Sequence, residues 1–260
     1  PRLSSGELSP SAVIYSNPLQ FAGDTQVNAR ARNLEFRTGR AGGRPPVTSP
    51  WSGIITADFF EDRLARRSDL VVTEIHYNPG SPTSEELALD SSLNNDDFEF
   101  IELKNAGGEK ISIAQLVFDA GIEYVFADGL MRSLAPNESM LLVRNRKAFE
   151  MRYGALANIG GEYSGRLRNN GERLRVSAAD GSRILDFSYS DLWHPTTDGL
   201  GFSLTLADES ASLVNLSDSS LWRPSTNRNG SPGEIDPNPI LVPGVVVNEV
   251  LVFGDELDAV

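Results

Sequence analysis

The sequence predicts an all-β sandwich, and three observations predict it. Apolar residues come in short runs separated by Gly, Pro and Asn/Asp turns, at the spacing of a sandwich. Several runs alternate apolar and polar residues, the period of two that marks a half-buried strand. One strand-like stretch, Leu70–Tyr77, returns near the end of the chain. With 260 residues, 40% of them apolar, the chain can bury one or two ordinary cores.

The first strand is Thr25–Arg32, where Val27, Ala29 and Ala31 alternate with polar neighbours. After the Gly-, Arg- and Pro-rich loop Arg37–Pro50 comes Trp51, then a short strand over Gly53–Phe60. The segment Glu61–Asp69 reads as a linker in which Arg63, Arg66 and Arg67 form a short helical turn. Leu70–Tyr77 is the next strand, stopped by the turn chemistry of Asn78-Pro79-Gly80. Ser81–Asn95 is polar and acidic with no apolar period, and reads as a loop. The strand Asp97–Asn105 then carries apolar residues on both faces: Phe98, Phe100 and Glu102 on one, Glu99, Ile101 and Leu103 on the other. That pattern belongs to a central strand.

Further strands are predicted at Ile111–Val117, Ile122–Phe126, Ser139–Val143, Leu174–Ser177, Ile184–Tyr189 and Ser203–Leu206. Asn145–Tyr153, rich in Arg, Lys, Glu and Met, reads as a short helix between strands. Asp180-Gly181 predicts a hairpin joining Glu172–Ala178 to Ser182–Phe187.

Composition narrows the function classes. No apolar run approaches the roughly 18 to 20 residues that span a bilayer. There is no cysteine, which removes disulfides, thiolate metal sites and Cys nucleophiles. The formal charge is −13, and residues 69–237 carry 14 Lys/Arg against 26 Asp/Glu. Such a segment is a poor partner for phosphate backbones, so nucleic acid is not expected; cations and basic surfaces suit it better. The start, Pro1-Arg2-Leu3-Ser4-Ser5, shows no signal peptide, and the sequence reads as part of something longer.

The most informative pattern is the repeat. Leu70-Val71-Val72-Thr73-Glu74-Ile75-His76-Tyr77 returns as Val245-Val246-Val247-Asn248-Glu249-Val250-Leu251-Val252, with Glu at the fifth place both times. Gly230–Pro243 has a linker's composition. The expected organisation is a β module at 1–62, a linker at 63–68, a sandwich at 69–237, a linker at 238–244 and the first strand of a second copy at 245–260.

Val72–Pro79, then Asp97–Asn105, then Leu192-Trp193-His194-Pro195 through Asp198–Leu204 resemble, in that order, the lamin-tail domain of bacterial extracellular proteins. Trp222-Arg223-Pro224-Ser225 and Gly230-Ser231-Pro232-Gly233 are similar to the close of such copies. Ile14–Leu19, Asp24–Arg32 and Trp51-Ser52 leading to Ala57-Asp58-Phe59 resemble the β-sandwich module that follows the catalytic domain of chitobiases, with its first strands missing. The resemblance implies an immunoglobulin-like sandwich in a large exported bacterial protein, extracellular or on the cell surface. The long segments Ser81–Asn95 and Asn145–Gly171 depart from the family pattern.

The candidate sites follow from residue chemistry. His76 and His194 are the only histidines, so a two-histidine metal centre needs both, with Glu74 as a third ligand; two partly exposed structural histidines are the plainer reading. Glu74 and Glu102 are paired strand carboxylates of the kind a glycosidase uses, or acceptors for loop amides and partners for Lys104. In the acidic loop, Asp90, Asp96 and Asp97 are the calcium candidates, although their spacing is not that of an EF-hand. Calcium is the one cofactor suggested. Trp193 and Trp222 are the candidates for stacking on a sugar, against the alternative that each closes the core. A Gly-x-Ser-x-Gly elbow is absent. These readings favour a non-catalytic adhesion or spacer module that meets neighbouring domains of its own chain and a protein or cell-surface glycan partner. An accessory carbohydrate-binding module and a carboxylate-dependent hydrolase are the alternatives.

Overall fold

A computed structural model of the chain describes residues 12–21, 23, 25–34, 50–59, 62–209 and 215–239. The returning strand Val245–Val252, the segment 245–260 around it and the loop at 37–49 lie outside the described residues.

Two short strands, β1 (Thr25–Ala29) and β2 (Ile55–Phe59), pair antiparallel, with a further bridge between Arg32 and Trp51. Arg30 and Arg32 stack on the Trp51 ring at 4.6 and 5.5 Å, which covers that aromatic face.

The remaining strands are β3 (Arg63–Leu64), β4 (Leu70–His76), β5 (Phe100–Asn105), β6 (Ile111–Ser112), β7 (Leu116–Ala120), β8 (Tyr124–Val125), β9 (Ser133–Leu134), β10 (Ser139–Val143), β11 (Ile159–Glu162), β12 (Arg173–Ala178), β13 (Arg183–Ser188), β14 (Leu204–Leu206) and β15 (Trp222–Pro224). A six-stranded sheet runs β11-β10-β5-β4-β14-β15, and a four-stranded sheet runs β13-β12-β7-β8. A small third sheet has the order β3-β6-β9. Ile75, Ile101, Leu103 and Leu142 of the first sheet and Leu116, Phe118, Val176 and Phe187 of the second belong to one buried core. Burying each such side chain stabilises the fold by about 1.5–3 kcal/mol. The predicted all-β sandwich is the observed fold.

Every residue of β4 is buried, because β4 is central and both its faces are covered. Strict alternation would send Val72 and Ile75 to opposite faces. A bulge between Val72 and Glu74 resets the register, so both reach the core while Glu74 and His76 lie on the outer face.

Part of that outer face is covered by the segments 81–98 and 145–162. The first helix, α1 (Ser84–Leu89), starts on a Thr83–Glu86 capping box. The second, α2 (Arg146–Tyr153), starts on Asn145, whose side chain accepts from the Ala148 amide at 3.1 Å. Phe149 and Tyr153 of α2 pack on Phe100, Leu141, Val143 and Ile159. Ala148 and Met151 meet Leu93 and Phe98 from the segment after α1.

Four expectations are corrected. Ser81–Asn95 is not a plain loop: it contains α1, because Thr83-x-x-Glu86 is a helix-start signal that outweighs the missing apolar period. Asp97–Phe98 belong to a 3-10 turn at Asn95–Phe98, so the strand begins only at Phe100. Ile111–Val117 is two strands in two different sheets, broken at Ile113. The segment before Leu70 forms no helical turn at Arg63: Arg63–Leu64 pair in parallel with Ile111–Ser112, and Ala65 enters the core. The helix at Asn145–Tyr153 and the hairpin around Asp180-Gly181 are as predicted, with Gly181 at φ 82°.

Candidate functional site

Glu74 and Glu102 face each other as register partners on β4 and β5. Both are buried, at 2% and 3% exposure. What covers them is the closing segment of the sandwich. The Ser231 amide donates to Glu74 Oε1 at 3.0 Å, and the Ser203 hydroxyl donates to the same oxygen in a short hydrogen bond. The Gly233 amide donates to Glu102 Oε2 at 2.7 Å, and the Thr73 hydroxyl to Oε1 at 2.7 Å. The two strand carboxylates thus hold the backbone at 231 and 233.

The local sequence makes that approach fit. Gly230 sits at φ 78°, and a Cβ there would collide with Glu74 Oε1 and Ser203 Oγ. Downstream, Asp236 accepts from Ser231 Oγ at 2.6 Å and pairs with Arg223 at 2.5 Å. The Ser225 hydroxyl accepts from the Ser203 amide at 3.0 Å and donates to the Asn227 carbonyl at 2.8 Å. Trp222–Ser225 and Gly230–Gly233, separate in sequence, form one latch over the first two long strands.

Burial dominates the electrostatics. It pushes the Glu74 carboxyl up to about 8, with the two hydrogen bonds opposing the shift and Glu102 adding to it. Glu102 is raised as well, again by burial first. Asp236 is held below the ordinary carboxylate range: burial raises it, but the Ser231 hydroxyl, Arg223 and the Thr226 amide outweigh that. Neither Glu74 nor Glu102 stands in an open cleft with a free oxygen pair for acid–base work on a substrate.

The other candidates are dispersed. His76 is fully buried and pushed down to about 3 by burial and then by Arg152; its Nδ1 lies 3.3 Å from the Tyr153 hydroxyl, and its Nε2 has no hydrogen-bond partner. His194 instead bonds the Trp222 carbonyl through Nε2 at 2.9 Å. The reading of His76 as partly exposed is corrected, since Phe100 and Tyr153 enclose it. Asp90 accepts from Ser92 at 2.6 Å and pairs with Lys147 at 2.9 Å. Asp96 pairs with Arg144 at 3.0 Å, and Asp97 closes a cap with Asn94 and accepts from Asn145 at 3.2 Å. These three calcium candidates therefore serve as caps and ion pairs that tie the two outer segments together. Among the described residues no three His, Asp or Glu side chains gather to hold a metal ion.

Trp222 is 2% exposed, stacks on Phe187 at 6.0 Å and donates from Nε1 to the Leu216 carbonyl at 2.8 Å. It closes the core and offers no face to a sugar, which corrects its candidacy. Trp193 is partly buried against Trp222, ring centroids 6.4 Å apart. No helix among the described residues is long and apolar enough to cross a membrane.

A residue that sequence reasoning passed over is Glu99. It is fully buried, accepts from the Tyr163 hydroxyl and the Leu167 amide at 2.9 Å each on Oε2, and has Arg144 at 3.6 Å from Oε1. Burial raises it to about 8. Its sequence signal was a charged residue between two apolar ones, Phe98 and Phe100.

No family model matches the chain, and no curated protein or solved structure matches it.

Proposed function

We propose that residues 69–237 are a non-catalytic structural module, an immunoglobulin-like sandwich of lamin-tail type, serving as a spacer or adhesion unit in a large exported bacterial protein. In this reading 1–62 is a partial chitobiase-tail-like β module and 245–260 opens a second copy of the sandwich. Neighbouring domains and a protein or cell-surface glycan are its partners, outside the cell or on its surface.

The observation that carries it is the latch. A spacer is loaded at its two ends, and here the closing segment is fastened to the first two long strands by Glu74 and Glu102. The carboxylate pair that a hydrolase would present to substrate is occupied by that task. The carbohydrate-binding alternative loses Trp222 as a platform and is left with Trp193.

The test is to express residues 62–239 alone. The expected result is one cooperative melt, close to that of the same region in the full chain. A fragment that folds only with the rest of the chain overturns the reading. So does any hydrolytic activity on a polysaccharide panel that Glu102→Gln abolishes while the melt is retained.

A further inference from the structure

The central segment is strongly acidic, yet one cleft reverses that sign. A cavity of about 910 Å³ opens between the β1–β2 hairpin, β3 and the turn joining β12 to β13. Among the described residues its lining includes Arg63, Arg66, Arg67, Arg132 and Arg183 against a single acidic residue, Asp180. Asp180 is turned into its own hairpin, where it accepts from the Ser182 amide at 2.9 Å. Arg63 is ion-paired to Asp69 and Glu109, and Arg183 to Asp186 at 3.2 Å. Arg66 and Arg67 are exposed at the rim. Beneath the arginines the lining is apolar, with Leu64, Ala65, Ala114 and Ile184.

A second, independent observation lies inside the cleft. Both polar atoms of the Gln115 carboxamide are buried and without a hydrogen-bond partner. Leaving a buried amide unpaired costs on the order of 1–3 kcal/mol, so a ligand towards which the Gln115 side chain turns outward to pair gains that back. A carboxamide presents one donor edge and one acceptor edge, which is the complement of a peptide group. The two strands bordering the cleft, β3 and β13, are also edge strands of their sheets, where backbone groups can pair with an added chain.

We propose that this cleft binds an extended acidic peptide segment of a partner protein. The arginine rim takes its carboxylates, the apolar floor takes the alternate side chains, and Gln115 pairs with its backbone. This goes beyond the spacer reading and does not depend on it, since a spacer needs no such cleft.

The experiment uses the full 260-residue chain and a fluorescein-labelled peptide alternating Glu and Ala over about twelve residues, roughly 40 Å when extended. Fluorescence anisotropy is expected to give saturable binding that weakens with salt. The double variant Arg66→Glu/Arg67→Glu should weaken it by about tenfold or more, as reversing rim charges does. Gln115→Leu should weaken it by at least roughly threefold, with the melting temperature of each variant checked against wild type. A Gln–Ala peptide of the same length should not bind. The proposal is overturned if the Glu–Ala peptide shows no saturable binding up to about 1 mM, or if the arginine variant binds it unchanged. It is also overturned if heparin binds through the same arginines while the acidic peptide does not, which assigns the cleft to sulfated polysaccharide.

Discussion

At Gly230 a single hydrogen atom in place of a methyl group decides whether the latch closes. The left-handed φ and the approach of Glu74 Oε1 leave no space for Cβ. Gly230→Ala is expected to cost about 2–3 kcal/mol, a fall in Tm of roughly 5–10 °C for a domain of this size. Gly108→Ala, where a Cβ meets nothing, is the control and should be near neutral. Equal melts for the two variants would mean that the close approach at Gly230 does not hold the latch. Titration gives a second handle on the same residues. Glu74 and Glu99 have folded-state values raised to about 8, so the folded state holds their protons longer than the unfolded chain does. Their contribution is complete below the ordinary carboxylate range and is lost as pH rises through about 8. His76 works from the other side: its value is depressed to about 3, so its contribution is present above its unfolded value of 6.5 and is lost as pH falls towards 3. Between about pH 4.5 and 6.5 the two carboxyl groups outweigh the one histidine, so stability should peak at roughly pH 4 to 5 and decline towards pH 8. Glu74→Gln should flatten the alkaline limb; a limb of unchanged slope would contradict the assignment. Sequence reading reached Glu74 and Glu102 as a pair and named loop amides as one use for them. It could not supply the amides, because Ser231 and Gly233 lie more than a hundred positions away from either carboxylate.

The elements most legible in the sequence were those whose signal is local. Ser139–Val143 is a strand with the bounds its composition sets, and the hairpin at Asp180-Gly181 follows from its turn residues. The two-residue strands β3, β6, β8 and β9 were illegible as such, since two residues cannot show a period. The two outer segments were illegible for another reason: each is stabilised by the other. Arg152 of α2 forks onto Glu86 of α1 at 2.9 and 2.8 Å, donates to the Gly80 carbonyl at 3.1 Å and lies over the Phe98 ring at 3.3 Å. Both side chains of this ion pair are nearly buried, at 5% and 10% exposure. Removing the guanidinium leaves a buried carboxylate alone, so Arg152→Ala is expected to cost about 3–5 kcal/mol. Arg152→Lys keeps the charge but loses the two-point fork and the ring contact, and should cost less. Hydrogen exchange should speed up across residues 84–98 in the Ala variant before it does in the four-stranded sheet. Uniform acceleration through both sheets would mean that the two segments are not a separate cooperative unit.

For the molecule as a whole, the boundaries matter most, because the sandwich's work in a longer protein depends on where it ends. Composition placed the start at residue 69 and left 63–68 to a linker. The structure puts three ties before that point. Arg63–Leu64 add a parallel strand to Ile111–Ser112, Ala65 is 5% exposed in the core, and Arg63 pairs with Asp69 at 2.7 Å and Glu109 at 2.8 Å. The ion pairs of the solvent-facing Arg63 contribute little, but the strand pairing and the buried methyl group together should contribute about 2–3 kcal/mol. A fragment of residues 69–239 is therefore expected to unfold at lower denaturant than one of residues 62–239, with Ile111 and Ser112 losing amide protection. Coincident denaturation curves would restore 63–68 to the status of a linker. At the other end the same physics acts through the latch: stopping at residue 229 removes the Ser231 and Gly233 amides and leaves Glu74 and Glu102 facing each other without those donors. That truncation should be the more damaging of the two, because it strands two buried carboxylates where the first only frays an edge.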